Sequence, residues 1–154
     1  EVQRAQRNQQ PLSLLLFDLD KFKQLNDQYG HLGGDSVLIE LTARVRGLLR
    51  DTDWFGRYGG EEFGIVLTNT ALAGAMEVAE RICLAVSSKA VTFNEHSIQS
   101  SISVGVAQLD AAGERAHEVL IGQADMALYN AKREGRNRVV SYSAGETEFQ
   151  LKTN

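Results

Sequence analysis

No run of residues approaches the roughly 20 apolar positions that a bilayer-spanning helix needs, and no charged-then-apolar leader opens the chain. The sequence is therefore expected to form a soluble piece with no direct membrane contact. Cysteine occurs once, at Cys83, which excludes an internal disulfide; its place in a helical apolar pattern reads as a small buried hydrophobe, which suits the cytoplasm. Proline also occurs once, aromatic residues make up 7% of the chain, and there are no repeats or low-complexity tracts. Positive charge is not in excess: the formal net charge is -4, so the broad basic field that drives binding to polymeric DNA or RNA is absent. A small anion is a different matter, because a few local lysines and arginines can hold a triphosphate inside an acidic protein when cations neutralise part of its charge.

What is present is enough for one core. At 154 residues and 43% hydrophobic content, the expectation is a single domain over 1–154, with its core at about 11–142 and a tail or linker at 143–154. The first methionine is Met76, so the chain is expected to be a piece of a longer multidomain protein.

Pro11 precedes Leu12-Ser13-Leu14-Leu15-Leu16-Phe17, a run apolar on both faces that predicts a central buried strand ending at Asp18. From Asp20 to Tyr29 the pattern turns helical, Gly30 to Gly34 break it, and Asp35 is expected to open a second helix carrying Leu38, Leu41, Val45 and Leu48. Trp54–Tyr58 and Glu62–Leu67 predict two strands joined around Gly59-Gly60, glycines expected to supply positive φ angles in a hairpin. A third helix follows over Leu72 to Val86, a strand over Ser101 to Ala107, a fourth helix over Val119 to Ala131 stopped at Gly135, and a last strand over Asn137 to Tyr142. That order predicts an α/β (α+β) fold: a central, mostly antiparallel sheet flanked by helices.

The chemistry gathers at two strand ends. Asp18 closes the buried strand, and Glu61 and Glu62 sit beside a Gly-Gly turn, so pairing the two strands collects carboxylates that repel unless a hard cation such as magnesium fills the gap. Neighbouring strand residues point to opposite faces, so one member of Asp18/Asp20 and one of Glu61/Glu62 should lead; the alternation does not say which. Taken alone, a Gly-Gly-Glu-Glu hairpin is more simply a solvated turn.

The combination is more specific. Phe17-Asp18-Leu19-Asp20-Lys21-Phe22-Lys23, Asn26-Asp27-Gln28-Tyr29-Gly30-His31, Gly34-Asp35, Arg57-Tyr58-Gly59-Gly60-Glu61-Glu62-Phe63 and Ala124 to Asn137 resemble, in order, the motifs of the GGDEF family of diguanylate cyclases, over roughly Pro11 to Val140. The resemblance implies a ferredoxin-like, nucleotidyl-cyclase palm-type architecture and the condensation of two GTP into cyclic di-GMP. It implies metal ligation by Asp18, Glu61 and the Leu19 carbonyl, with Glu62 on a second ion, for two Mg2+ per site and Mn2+ as an alternative. Glu61 is the implied assistant in deprotonating the attacking hydroxyl, and Lys23 the implied stabiliser of charge on the attacked phosphate. Asn26 and Asp35 are implied as guanine readers, with Phe22, Leu38, Gly59, Gly60, Lys132 and Arg136 completing the substrate site. For Asp35 the competing structural role is capping beside Gly34; for Lys132 and Arg136 it is complementing a helix end.

Arg50-Asp51-Thr52-Asp53 stands at the spacing of the family's RxxD inhibitory site, with Arg81 resembling its supporting arginine. The resemblance thus implies feedback by cyclic di-GMP, a homodimer for catalysis and an upstream sensory or regulatory domain. The family's earlier aspartate-x-leucine-threonine segment does not appear before Glu1, and its absence is expected to alter regulation or dimer geometry. A binding-only relative would show an eroded signature, whereas Asp18, Lys23, Asn26, Asp35, Glu61 and Glu62 all match. His31, in the Gly-rich bend, is expected to make a structural hydrogen bond; His96 and His117 are assigned no role.

Overall fold

A computed structural model describes residues 1–143; the end of the expected tail, from 144 on, lies outside the described residues. The elements run α1 (Val2–Asn8), β1 (Leu12–Leu19), α2 (Phe22–Arg46), β2 (Trp54–Arg57), β3 (Glu62–Thr68), α3 (Leu72–Ser87), β4 (Val91–Phe93), β5 (His96–Ile98), β6 (Ile102–Gln108), α4 (Ala116–Arg133) and β7 (Arg138–Ser141). Five strands form one sheet in the order β2-β3-β1-β6-β7, and β4 pairs with β5 in a small separate hairpin. The pairs β2–β3, β3–β1 and β1–β6 are antiparallel; β6 and β7 run parallel, joined through α4, as a parallel pair requires a crossover. This is the expected α/β class, a mostly antiparallel central sheet with helices against it, and among the described residues no helix is long and apolar enough to cross a membrane.

β1 is buried along its whole length, as its two-sided apolar run predicts. Its alternation divides the core in two. Leu15, Phe17 and Leu19 pack with Val37, Leu38, Leu41 and Val45 of α2 and with Ala75, Ala79, Ile82 and Val86 of α3. Leu12, Leu14 and Leu16 face the other way, onto Ala5 of α1 and Leu120, Ala124 and Leu128 of α4. Period two therefore puts Asp18 on the α4 face, and this places it near the end of that helix. Beneath the strand tips Phe17, Phe55 and Phe63 stack across three adjacent strands, with centroids 5.3 Å apart for Phe17–Phe63 and 5.7 Å for Phe55–Phe63. Gly105 lets β6 and α4 touch: a Cβ there would overlap the Ala124 carbonyl and the Leu128 amide.

Three expectations are corrected. Asp35 does not open a helix: α2 runs on either side of a kink at Gly30, whose φ of 76° and ψ of 168° are non-helical, and Gly33, Gly34 and Asp35 lie within the second half. The glycines are there to admit neighbours, not to break the helix: a Cβ at Gly33 would sit 2.6 Å from Tyr29 Cβ. The Gly59-Gly60 turn uses no positive φ, which among the described glycines occurs at Gly30, Gly113 and Gly135. Short α1 and the β4–β5 hairpin had no strong periodic signal.

Candidate active site

The tips of β1 and β3 stand side by side, with Asp18 opposite Glu62 in the antiparallel register and Phe17 opposite Phe63 one step into the core. Asp18 is 7% exposed. Its Oδ2 lies 2.5 Å from Lys132 Nζ at the end of α4, while its Oδ1 is buried without a partner. Burial pushes the Asp18 carboxyl above its ordinary range; Lys132 pulls it back, and the neighbouring Asp20 and Glu61 carboxylates push it further up. A buried carboxylate oxygen left open among other carboxylates is what a hard cation would satisfy.

Asp20, two residues on, is fully engaged. Its Oδ1 accepts from Ser103 Oγ at 2.6 Å, and its Oδ2 accepts from Ser101 Oγ at 2.7 Å and from the Asn137 amide at 3.0 Å. The two aspartates, expected to point to opposite faces, are two residues apart with Asp20 just past the end of β1, so partners and not alternation separate them: Asp18 has an oxygen without a hydrogen-bond partner and Asp20 has none. The β2–β3 turn is closed by the Tyr58 amide donating to the Glu62 carbonyl at 3.0 Å and by Arg57 Nε donating to the Gly60 carbonyl at 2.8 Å. Bare of a Cβ, Gly59 leaves room for the Glu62 carboxylate, which a side chain there would overlap. The Glu61 carbonyl accepts from the Leu19 amide at 3.3 Å, tying the hairpin to the end of β1. Among the described residues no three histidine, cysteine or carboxylate side chains gather into a ready-made metal cage. The ligand set implied for the first ion, Asp18, Glu61 and the Leu19 carbonyl, has only two side chains and needs no such cage.

Tyr58 and Asp125 had no expected role. Burial, followed by the Glu62, Asp125 and Asp18 carboxylates, pushes the Tyr58 phenol up to about 12, so it remains a hydroxyl donor at neutral pH. The signal was available in the Arg57-Tyr58-Gly59 context, but not the partner from α4.

The kink in α2 assembles a second cluster. Eight residues of continuous helix would hold positions 26 and 34 about 12 Å apart; the bend at Gly30 instead folds Asn26 back so that a Cβ at Gly34 would overlap its Oδ1 and lie 3.1 Å from Phe22 Cζ. Asn26 Oδ1 is buried with no partner. Asp35 is exposed beside it, Leu38 is buried and Phe22 half-buried. Because Asp35 lies inside the helix, the capping role falls away. Lys23 and Arg136 are exposed, Arg136 in a turn with φ of 64°; among the described residues Lys132 is the one implied phosphate cation that is ion-paired, to Asp18. His31 is exposed and makes no side-chain hydrogen bond among the described residues, contrary to expectation.

Away from this edge, Arg50, Asp53 and Arg81 line one cavity of about 350 Å³. Asp53 Oδ2 accepts from the Arg50 amide at 3.0 Å, which is the bland turn-closing role, but its Oδ1 is buried and unpartnered.

The fold is thus a layered α/β domain with carboxylates at paired strand tips and a glycine-walled polar cluster alongside. The family model described as "Diguanylate cyclase, GGDEF domain" matches residues 1–138, and the chain belongs to that family. It is 44% identical over 128 residues to diguanylate cyclase A of Treponema denticola, covering 83% of this chain and 34% of that protein. It resembles the structure of the active GGEEF domain of a diguanylate cyclase from Vibrio cholerae at 38% identity and a TM-score of 0.84, covering 92% of this chain and 88% of that one. It also resembles the GGDEF domain of DgcB from Caulobacter crescentus in complex with c-di-GMP at 31% identity and a TM-score of 0.84, covering 91% and 82%. The chain spans about a third of the length of the curated relative it matches.

Proposed function

We propose that the chain is a diguanylate cyclase domain, joining two GTP into cyclic di-GMP with release of two pyrophosphates. The observation that carries this reading is the open, buried Oδ1 of Asp18 beside the Gly-Gly-Glu-Glu hairpin. Asp18, Glu61 and the Leu19 carbonyl would hold a magnesium ion, or manganese in its place, with Glu62 reaching a second. Such ions supply charge neutralisation at the triphosphate and a more acidic 3'-hydroxyl.

The residues do the rest. Asn26 Oδ1 accepts from the guanine amino group and Asp35 from N1 and N2, donors that adenine does not present in this pattern. Phe22 and Leu38 flank the base. Gly59 and Gly60 let phosphates approach the backbone, while Lys23 and Arg136 offset their charge, Lys23 at the attacked α-phosphate. Lys132, which pairs with Asp18 at 2.5 Å, would offer a further cation to the phosphates. Glu61 takes the proton from the 3'-oxygen. One domain holds one GTP, so ring closure needs a second domain facing it across an approximate two-fold axis. Product inhibition would use Arg50, Asp53 and Arg81, where an open carboxylate oxygen stands among arginines in one cavity. The reading includes an attached sensory or regulatory domain, and the lone Cys83 suits a cytoplasmic setting.

The test is chromatographic detection of cyclic di-GMP after incubating concentrated protein with GTP and magnesium, beside Glu61→Ala. Product from the parent alone supports the reading; GTP turned over equally by both, or ATP used as well as GTP, overturns it.

A further inference from the structure

We propose that Asp20 is a positioning residue that holds the Gly135-Arg136-Asn137 turn so that the Arg136 guanidinium meets the triphosphate; the inference rests on the reading of Arg136 as a phosphate ligand. Three consecutive residues of this turn occupy the left-handed region, with φ of 126°, 64° and 46°, and only the first is glycine. Side-chain-bearing residues adopt that region at a cost and keep it only where the surroundings hold them there. Besides Arg138 Nε, which donates to the Arg136 carbonyl at 3.2 Å, two bonds from backbone amides do so here. The Arg136 amide donates to the Ala131 carbonyl at 3.0 Å, fastening the turn to α4. The Asn137 amide donates to Asp20 Oδ2 at 3.0 Å, across 117 positions of sequence, fastening it to the end of β1.

Asp20 is itself immobilised. Ser103, fully buried, donates to its Oδ1 at 2.6 Å, and Ser101 donates to its Oδ2 at 2.7 Å. The Asp20 amide donates to the Ser101 carbonyl at 2.9 Å. Behind the turn, Cys83 Sγ approaches Asn137 Oδ1 at 3.7 Å. Asp20, Lys21, Gln24, Arg136 and Asn137 line part of a groove of about 570 Å³ that runs on to Tyr29 and Gln99, with Arg136 alone of the implied phosphate ligands on its wall. Arg136 is exposed on that wall, so its direction is set chiefly by the backbone that carries it. The hydrogen bond from the Asn137 amide to the Asp20 carboxylate is thus a second link, beside the Asp18–Lys132 ion pair, between the end of β1 and the turn that bears Arg136.

The test measures GTP affinity in the presence of magnesium, and KM and kcat for cyclic di-GMP formation, for Asp20→Ala, Asp20→Asn, Arg136→Ala and the pair Asp20→Ala/Arg136→Ala. Asp20→Ala is expected to weaken GTP binding about tenfold or more, with the loss falling on KM rather than kcat. Asp20→Asn is expected to recover most of the affinity, because the carboxamide oxygen can still accept from Asn137 and Ser101 while its nitrogen donates to Ser103. The double variant should bind no more weakly than Arg136→Ala alone. If Asp20→Ala does not melt cooperatively, Asp20→Ala/Ser101→Ala/Ser103→Ala replaces it, since that variant orphans no buried hydroxyl. Wild-type affinity in Asp20→Ala or its triple replacement, with Arg136→Ala weakened, or effects of Asp20 and Arg136 that simply add, would overturn the inference alone. An Arg136→Ala protein with unchanged GTP affinity would overturn the reading beneath it as well.

Discussion

Asp18 and Asp53 are the same chemical object in two places: a carboxylate with one oxygen engaged and the other buried and open. Their surroundings differ in sign. Asp18 stands near Asp20 and Glu61 with one lysine against it, whereas Asp53 shares its cavity with Arg50 and Arg81 and spends its engaged oxygen on a backbone amide. On the proposed reading, an open acceptor in a negative cluster suits a cation, and an open acceptor in a cavity shared with two arginines suits a ligand carrying both donors and negative charge, as a guanine nucleotide does. Neighbours, more than the residue itself, set what each site would bind.

The comparison breaks first at Asp18. Asp18→Asn keeps the shape and removes the charge, and turnover is expected to fall by about a hundred- to a thousandfold with magnesium saturating; retained activity would make Asp18 a structural acid. Next comes Asp35→Ala, for which the GTP KM is expected to rise about ten- to a hundredfold. Since Asp35 is exposed inside a helix, its melting free energy should change by no more than about 0.5 kcal/mol. A large loss of stability with unchanged KM would restore the structural role. Arg50→Ala is expected to weaken inhibition by added cyclic di-GMP about tenfold, with initial rates, taken before product accumulates, at the parent level; equal inhibition would leave the Asp53 cavity without a ligand.

The smallest effect concerns Cys83, behind the Asp20 cluster. Burial first, then the Asp20 and Glu80 carboxylates, push its thiol up. The folded state therefore keeps the proton to higher pH than the unfolded chain. Stability from this group is present below the unfolded-state pKa and declines as pH rises through the thiol range. Alkylation of native protein at pH 8 should accordingly be slow and should accelerate on unfolding; rapid native labelling would show that the core behind Asp20 opens readily.

Much of this was legible beforehand, for reasons that vary by element. The run from Leu12 to Phe17 reads as a buried central strand because it is apolar on both faces, and α3 and α4 announce themselves by stripes at steps of three and four. Strands of three residues, such as Val91–Phe93 and His96–Ile98, are too short to express a period. Gly33 and Gly34 read as breakers because glycine usually is one; in the fold they are the flat ground onto which Tyr29 and Asn26 are pressed. The same ambiguity hides Asp35, whose capping and base-reading roles look alike until the start of the helix is known.

By itself the sequence determined the family, the layered architecture and the chemical types collected at the strand tips, since these follow from periodicity and from motifs read within about ten residues. Only the tertiary structure decided which carboxylate is free. Alternation sets Glu61 against Glu62 but leaves Asp18 and Asp20, two residues apart, in phase, and it does not say what waits on either side. The partners that settle the matter, Lys132 for Asp18 and Ser101, Ser103 and Asn137 for Asp20, come from elements more than 80 residues away, and burial and hydrogen bonding act through space, not along the chain.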